Sequence, residues 1–277
     1  MSNYSRTTLK LCAALVGLAL ASGPVHAQDD ERAERDAQKT KQAQAVSKEV
    51  YDKISKAQEL VDAKEYQAAL RSLNNLYNPD KLTEYEQANV LNYIGFVYYN
   101  MDDMPNAIRT YERMVAIPSL EPQLAKQTTY TLSQLYTMEE QYQKALTTLD
   151  RWFTLETNPA PEAYILKAQN LYQLERVGEM IEPIEKAMEV ARARDKEVKE
   201  DWYVLLNFAY FNEENYAMVR DIQKILLETW PKKRYWFSLA GAYTELGEDN
   251  NLIAAYGAAH DQGTVSYTHL TLPTTPY

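Results

Sequence analysis

The chain has 277 residues, 45% of them hydrophobic, and its 39 acidic against 29 basic side chains leave a formal net charge of −10. It is long enough to bury a core without disulfides, and its acidic surface repels phosphate backbones, which excludes nucleic acid as a natural partner. Cys12 is the single cysteine, and the eight glycines form no phosphate-binding loop. Neither a disulfide framework nor a thiolate zinc site can therefore be assembled.

In chain order, residues 1–27 read as a secretory signal peptide. Arg6 and Lys10 make a basic start, Leu11 to Ala21 is an apolar run, and Val25-His26-Ala27 places small residues where signal peptidase cuts. The run is too short to cross about 30 Å of hydrocarbon. Cys12 stands at the start of that run, where a lipobox would require it behind. Cleavage after Ala27 is expected, leaving a periplasmic protein that lacks cysteine. Residues 28–45 are polar and charged and read as a solvated linker or leader. At the other end, Val265 to Thr274 breaks the preceding pattern and matches, codon for codon, the translation of a transposase-based sequencing adapter. Residues 264–277 are therefore read as an artefactual tail.

Between them, residues 46–263 carry apolar side chains at helical spacing. Short turn clusters interrupt them: Asn78-Pro79-Asp80, Pro118 to Pro122, Asn158 to Pro161, and Trp230-Pro231. The intervening segments align as helix pairs. Leu91, Ile94, Gly95 and Tyr98, followed by Ala107, Tyr111 and Met114, correspond to Thr129, Leu132, Ser133 and Tyr136, followed by Ala145, Leu149 and Trp152. Further copies run through Tyr164, Ala168 and Leu171; through Tyr203, Leu206, Asn207 and Tyr210; and through Trp236, Leu239, Ala240 and Tyr243. A weaker first copy holds Ala57, Leu60, Ala69 and Leu73.

This pattern resembles the tetratricopeptide-repeat (TPR) family. The resemblance implies an all-α, right-handed α-solenoid of about six helix-turn-helix units, spaced somewhat unevenly around the usual length of about 34 residues. The physical reason is close helix crossing. Gly95, Ser133, Ala168 and Ala240 supply the small position on first helices, and Ala69, Ala107 and Ala145 supply it on second helices. Tyr66, Tyr142 and Tyr216 fall at the elbows, where an aromatic ring covers the turn and its hydroxyl stays wet. Gln223 stands at an aromatic position, and Lys56 and Lys167 replace leucines.

Catalytic patterns are scarce. Between the leader and the tail the one histidine is His260, at the end of the last helical segment. The carboxylate pairs Glu139-Glu140 and Glu213-Glu214 recur at equivalent repeat positions and read as solvated helix ends, not as a hydrolytic pair. No EF-hand spacing is present. A non-enzyme with no cofactor and no metal is expected.

What remains is surface. First helices of stacked repeats line a concave groove. By the repeat alignment the groove holds Asn92, Phe96, Tyr99 and Asn100 in the second pair, with Tyr130 and Gln134 in the third. Gln169, Tyr172 and Gln173 follow in the fourth, Phe208, Phe211 and Asn212 in the fifth, and Phe237 in the sixth. Amides can bond a peptide backbone and aromatics can take its side chains; packing between neighbouring repeats is the alternative use for the aromatics. Basic residues are nearly absent from the set, so the carboxylate clamp of some cytosolic family members is not expected.

The last third, from Asp201-Trp202-Tyr203 through Asn215 to Val219 and on to Tyr235 to Gly247, resembles a narrower group. These are the periplasmic repeat proteins encoded beside TonB, ExbB and ExbD proteins. That resemblance implies a scaffold or adaptor accessory to TonB-dependent transport, with a protein or peptide segment as partner. The alternative is a scaffold for outer-membrane or peptidoglycan assembly.

Overall fold

A computed structural model describes residues 46–261. The signal peptide read at 1–27, the polar leader at 28–45 and the adapter-like tail at 264–277 lie outside the described residues. Twelve α-helices and one short 3-10 turn make up the secondary structure in this range, with no strand among the described residues. The described residues divide into two compact units, the first ending at Thr157 and the second beginning at Asn158.

The N-terminal unit holds three helix pairs: α1 (Lys48–Asp62) with α2 (Tyr66–Leu76), α3 (Glu84–Asn100) with α4 (Met104–Val115), and α5 (Pro122–Met138) with α6 (Tyr142–Leu155). The C-terminal unit holds three more: α7 (Pro161–Gln173) with α8 (Ile181–Ala193), α9 (Glu200–Asn212) with α10 (Tyr216–Thr229), and α11 (Lys233–Glu245) with α12 (Asp249–Asp261). The all-α class and the six paired helices expected from the sequence are what the structure shows. Helix starts follow local chemistry. Ser47 caps α1, Thr83 caps α3 in a full capping box with Glu86, and Asn215 caps α10. Pro122 and Pro161, grouped with the turn residues by sequence, are the first helical residues of α5 and α7, where proline loses no hydrogen bond.

The small residues do what close crossing requires. Ser133, Ala168, Ala69, Ala107 and Ala145 are fully buried, and Ala240 nearly so. Gly95 shows why. A Cβ built there would meet the Tyr111 ring at 2.7 Å, closer than carbon atoms approach, so α3 and α4 touch only because that side chain is missing. Leu91, Met114, Leu132 and Leu135 fill the space around this contact.

Every pair turns through the same elbow. Lys64, Asp102, Glu140, Glu175 and Glu214 all have φ between 56° and 60°, and Gly247 has φ 67°. The following amide then reaches back five residues, as in Asp103 N–H to the Tyr98 carbonyl and Gln141 N–H to the Tyr136 carbonyl, which closes the first helix in a Schellman turn. The paired carboxylates Glu139-Glu140 and Glu213-Glu214 are thus elbow residues. Tyr66, Tyr142 and Tyr216 open the second helices beside the elbows, each half-buried.

The fourth pair departs from the others. Its second helix begins as a 3-10 turn, Val177–Met180, and becomes α-helical at Ile181. Pro183 stands in the first turn of α8 without an N–H, and Val177 occupies the elbow position that is tyrosine in the first, third and fifth pairs.

Stacking between pairs within a unit repeats one polar device. The Tyr136 hydroxyl donates to Glu112 at 2.6 Å, and the Tyr210 hydroxyl donates to Glu185 at 2.5 Å, each reaching the second helix of the preceding pair. Burial and then the carboxylate partner raise both phenols, Tyr210 to about 12. A second kind of tie gathers Lys232, Arg234 and the Tyr235 hydroxyl onto Glu200, joining the starts of α9 and α11.

Glu86 does the same for the first two pairs. It is 6% exposed and accepts hydrogen bonds from Ser47 N–H at 2.9 Å and from both the N–H and hydroxyl of Thr83 at 3.0 Å. Burial is the largest single influence and opposes its charge, but the hydrogen bonds from Ser47 and Thr83 together outweigh it and hold the carboxyl below its ordinary value of 4.5. A depressed folded value stabilises above the unfolded value and is lost as pH falls through the folded one. Acid titration of stability below about pH 4.5 should therefore be shallower in Glu86→Gln than in the parent chain. Equal slopes in denaturation midpoints from pH 3 to 6 would remove Glu86 from this role.

Gln223 and Asn207 form a mismatch inside the fifth pair. By the alignment they stand where Gly95 and Tyr111 stand in the second pair, with the small position enlarged and the aromatic reduced. Gln223 is 2% exposed, and its Oε1 and the Asn207 Oδ1 are buried without a hydrogen-bond partner. An unsatisfied buried amide costs about 1–3 kcal/mol. Gln223→Met keeps the volume and removes the polar group, so a gain of about 1 kcal/mol in unfolding free energy is expected by chemical denaturation; a loss would mean that the amide is satisfied in solution.

Candidate functional site

The groove residues divide by unit. In the N-terminal unit, α3 presents Phe96 at 36% exposure, with Asn92 and Tyr99 half-buried beside it and Asn100 exposed. Asn100 spends its amide nitrogen on the Phe96 carbonyl at 2.8 Å, leaving its oxygen to face outward chemistry. Burial, and secondarily Asp102, raises the Tyr99 phenol. On α5, Gln134 is half-buried, and the Tyr130 ring lies 4.6 Å from Trp152 on the paired helix. Tyr130 thus gives one ring face to packing within its own pair. In the second pair the exposed aromatic surface is chiefly Phe96.

The C-terminal unit is more open. Tyr172 at the end of α7 is 48% exposed, Phe208 and Phe211 on α9 are 41% and 56% exposed, and Phe237 on α11 is 41% exposed. These are large apolar surfaces left in water on first helices, while the tyrosines that fill the crossings are covered: Tyr243 is 6% exposed. Tyr172 and Phe208 meet edge to face with centroids 5.6 Å apart, and Phe211 meets Tyr216 the same way at 5.9 Å. Such pairs hold rings in fixed orientations. Lys233 lies over the Phe237 ring at 5.6 Å. Gln169 is half-buried below them.

Tyr172, Phe208, Gln173 and Asn212 line a single open hollow of ≈ 430 Å³, completed by Glu175 and Val177. Its wall is the C-terminal ends of α7 and α9, and its floor is the 3-10 turn that replaces the α-helical start in the fourth pair. Four of the residues expected in the groove are brought together here. Glu175 and Val177 were not among them: Glu175 is the elbow residue of the fourth pair, and the signal in the sequence is the absence of an aromatic at Val177.

Among the described residues no group of three or more His, Cys, Asp or Glu side chains could hold a metal ion, and none of the helices there is long and apolar enough to cross a membrane. His260 falls in the last turn of α12. The hollow brings together the Tyr172 and Phe208 rings, the Gln173 and Asn212 amides and the Glu175 carboxylate.

No protein-family model matches the chain, and no curated protein matches it. Solved structures do. A tetratricopeptide-repeat protein from Parabacteroides merdae superposes with a TM-score of 0.51 at 16% identity, over 78% of this chain and 80% of that one. MamA from Desulfovibrio magneticus is 16% identical over 63% of this chain and 93% of its own, with a TM-score of 0.47. YrrB, a TPR protein with an unusual peptide-binding site, is 12% identical over 63% and 85%, with a TM-score of 0.49. At these identities the likeness is one of fold: the Parabacteroides tetratricopeptide-repeat protein shares this chain's all-α arrangement of consecutive helix pairs.

Proposed function

We propose that this chain is a periplasmic, non-catalytic scaffold that holds a segment of another protein, as an accessory of TonB-dependent transport. The observation that carries the scaffold reading is the set of aromatic side chains left exposed on first helices, Phe96, Tyr172, Phe208, Phe211 and Phe237, with unpaired amides between them. A stable fold gains by burying rings; rings kept in water and fixed edge to face are placed for a partner. YrrB is a precedent for peptide binding on this fold. The periplasmic and TonB assignments are supported by the leader read in residues 1–27 and by the resemblance of the last third to repeat proteins encoded beside TonB, ExbB and ExbD.

Two measurements in cells test this. The mature protein should begin at Gln28 and fractionate with the soluble periplasm; recovery in the inner membrane with Met1 retained defeats the localisation. Deleting the gene should impair growth on a chelated nutrient that needs TonB energy and leave the envelope otherwise sound. Normal uptake together with detergent sensitivity would assign the protein to envelope assembly instead.

A further inference from the structure

The hollow beside the fourth elbow has a charge that its aromatic lining does not explain. Glu175 lines it from a left-handed turn with φ 59°, and among the described residues its carboxylate makes no hydrogen bond or ion pair. Glu213 directly follows Asn212, and its carboxylate lies over Gly178, where an added Cβ would sit 2.5 Å from Oε1. It too has no ion-pair partner among the described residues. Arg176, next to Glu175 in the chain, has its guanidinium paired with Glu179 through contacts of 2.7 Å and 2.6 Å. Two uncompensated carboxylates thus flank a pair of exposed rings, on a chain whose net charge is already −10.

Resting on the peptide-scaffold reading, we propose that this hollow takes a lysine side chain from an extended segment of the partner protein. The alkyl stem of a lysine is apolar and its ammonium is not. The stem would lie along the Tyr172 and Phe208 rings, and the ammonium would reach the carboxylates of Glu175 and Glu213. The free amides of Gln173 and Asn212 are placed to bond the backbone on either side of that lysine. A glutamate or a phosphate meets two like charges here and is rejected. A purely apolar side chain fills the rings and leaves the carboxylates unmatched. The charge pattern therefore selects a basic segment, whereas the aromatic residues alone would accept any apolar one.

The test uses the full chain and two fluorescein-labelled peptides, Gly-Pro-Lys-Pro-Lys-Pro-Gly and its counterpart with norleucine for lysine, followed by fluorescence anisotropy at low salt. The lysine peptide should bind about five- to tenfold more tightly than the norleucine peptide. Glu175→Gln combined with Glu213→Gln should erase that difference while leaving helical content unchanged. Tyr172→Ala should weaken both peptides. Equal affinity for the two peptides, or a lysine preference that survives loss of both carboxylates, overturns the inference. So does a lysine preference that survives Tyr172→Ala undiminished in affinity, since the cation would then bind elsewhere. If both peptides bind equally and Tyr172→Ala weakens both, the scaffold reading stands and the lysine assignment falls. If neither peptide binds the parent chain, the lysine inference falls, and the aromatic faces must serve a segment of different chemistry.

Discussion

Gly95→Val is expected to lower the unfolding free energy by about 1–3 kcal/mol, seen as an earlier midpoint in chemical denaturation. The direction is not given by helix propensity. Removing glycine from a helix interior normally helps, since glycine is about 1 kcal/mol worse than alanine there. The reversal comes from the 2.7 Å approach of the Tyr111 ring to the position of the missing Cβ. Valine would have to push apart α3 and α4 or turn Tyr111 out of a rotamer in which it is 5% exposed. A compensating change should reveal the contact. In the Gly95→Val background, Tyr111→Leu should cost less than it does alone, giving a coupling of about 1 kcal/mol or more in the double-mutant cycle. The fifth pair already makes the same exchange, with Asn207 and Gln223 at the equivalent positions. A Gly95→Val chain as stable as its parent would mean that the two helices do not approach at this point. Ala107→Leu, at a fully buried alanine on the facing helix, should fail in the same direction.

Truncating Phe96, Tyr172 and Phe211 together to alanine should reduce affinity for the physiological partner by about a hundredfold or more while leaving helical content intact. These three are chosen because solvent reaches them: they are 36%, 48% and 56% exposed, so their removal opens no cavity. Tyr99, an equally strong candidate from sequence, is half-buried, and its loss would confuse folding with binding. Each true anchor should cost about 2 kcal/mol alone. Affinity in this picture comes from desolvating rings and bonding a peptide backbone, with net charge chiefly adjusting the encounter rate of a basic partner. Raising salt should then slow association more than it speeds release. A triple variant that stays folded and still binds at parental strength would move the binding surface off the first helices.

The repeat was legible in the sequence because its determinants are local. Helical periodicity follows from every third or fourth residue being apolar, and the need for a small residue at a close crossing recurs at each pair, so Gly95, Ser133, Ala168 and Ala240 announce themselves by position. The elbow carboxylates were legible for the same reason: Glu140 and Glu214 fall at one point of the repeat. What the sequence by itself could not decide was how each aromatic on a first helix is used. Tyr130 and Tyr172 both sit on exposed-looking first-helix positions, yet Tyr130 stacks on Trp152 and Tyr172 stands half in water. That outcome depends on which side chain the neighbouring helix sends across, a non-local matter of packing. The hollow beside Glu175 belongs to the tertiary structure for the same reason. It exists because the fourth pair begins its second helix as a 3-10 turn, lacks an elbow tyrosine, and receives the end of α9 with Phe208, Asn212 and Glu213 against the gap. Residues distant in the chain become one surface only when consecutive pairs stack, and periodicity alone carries no record of which faces that stacking leaves uncovered.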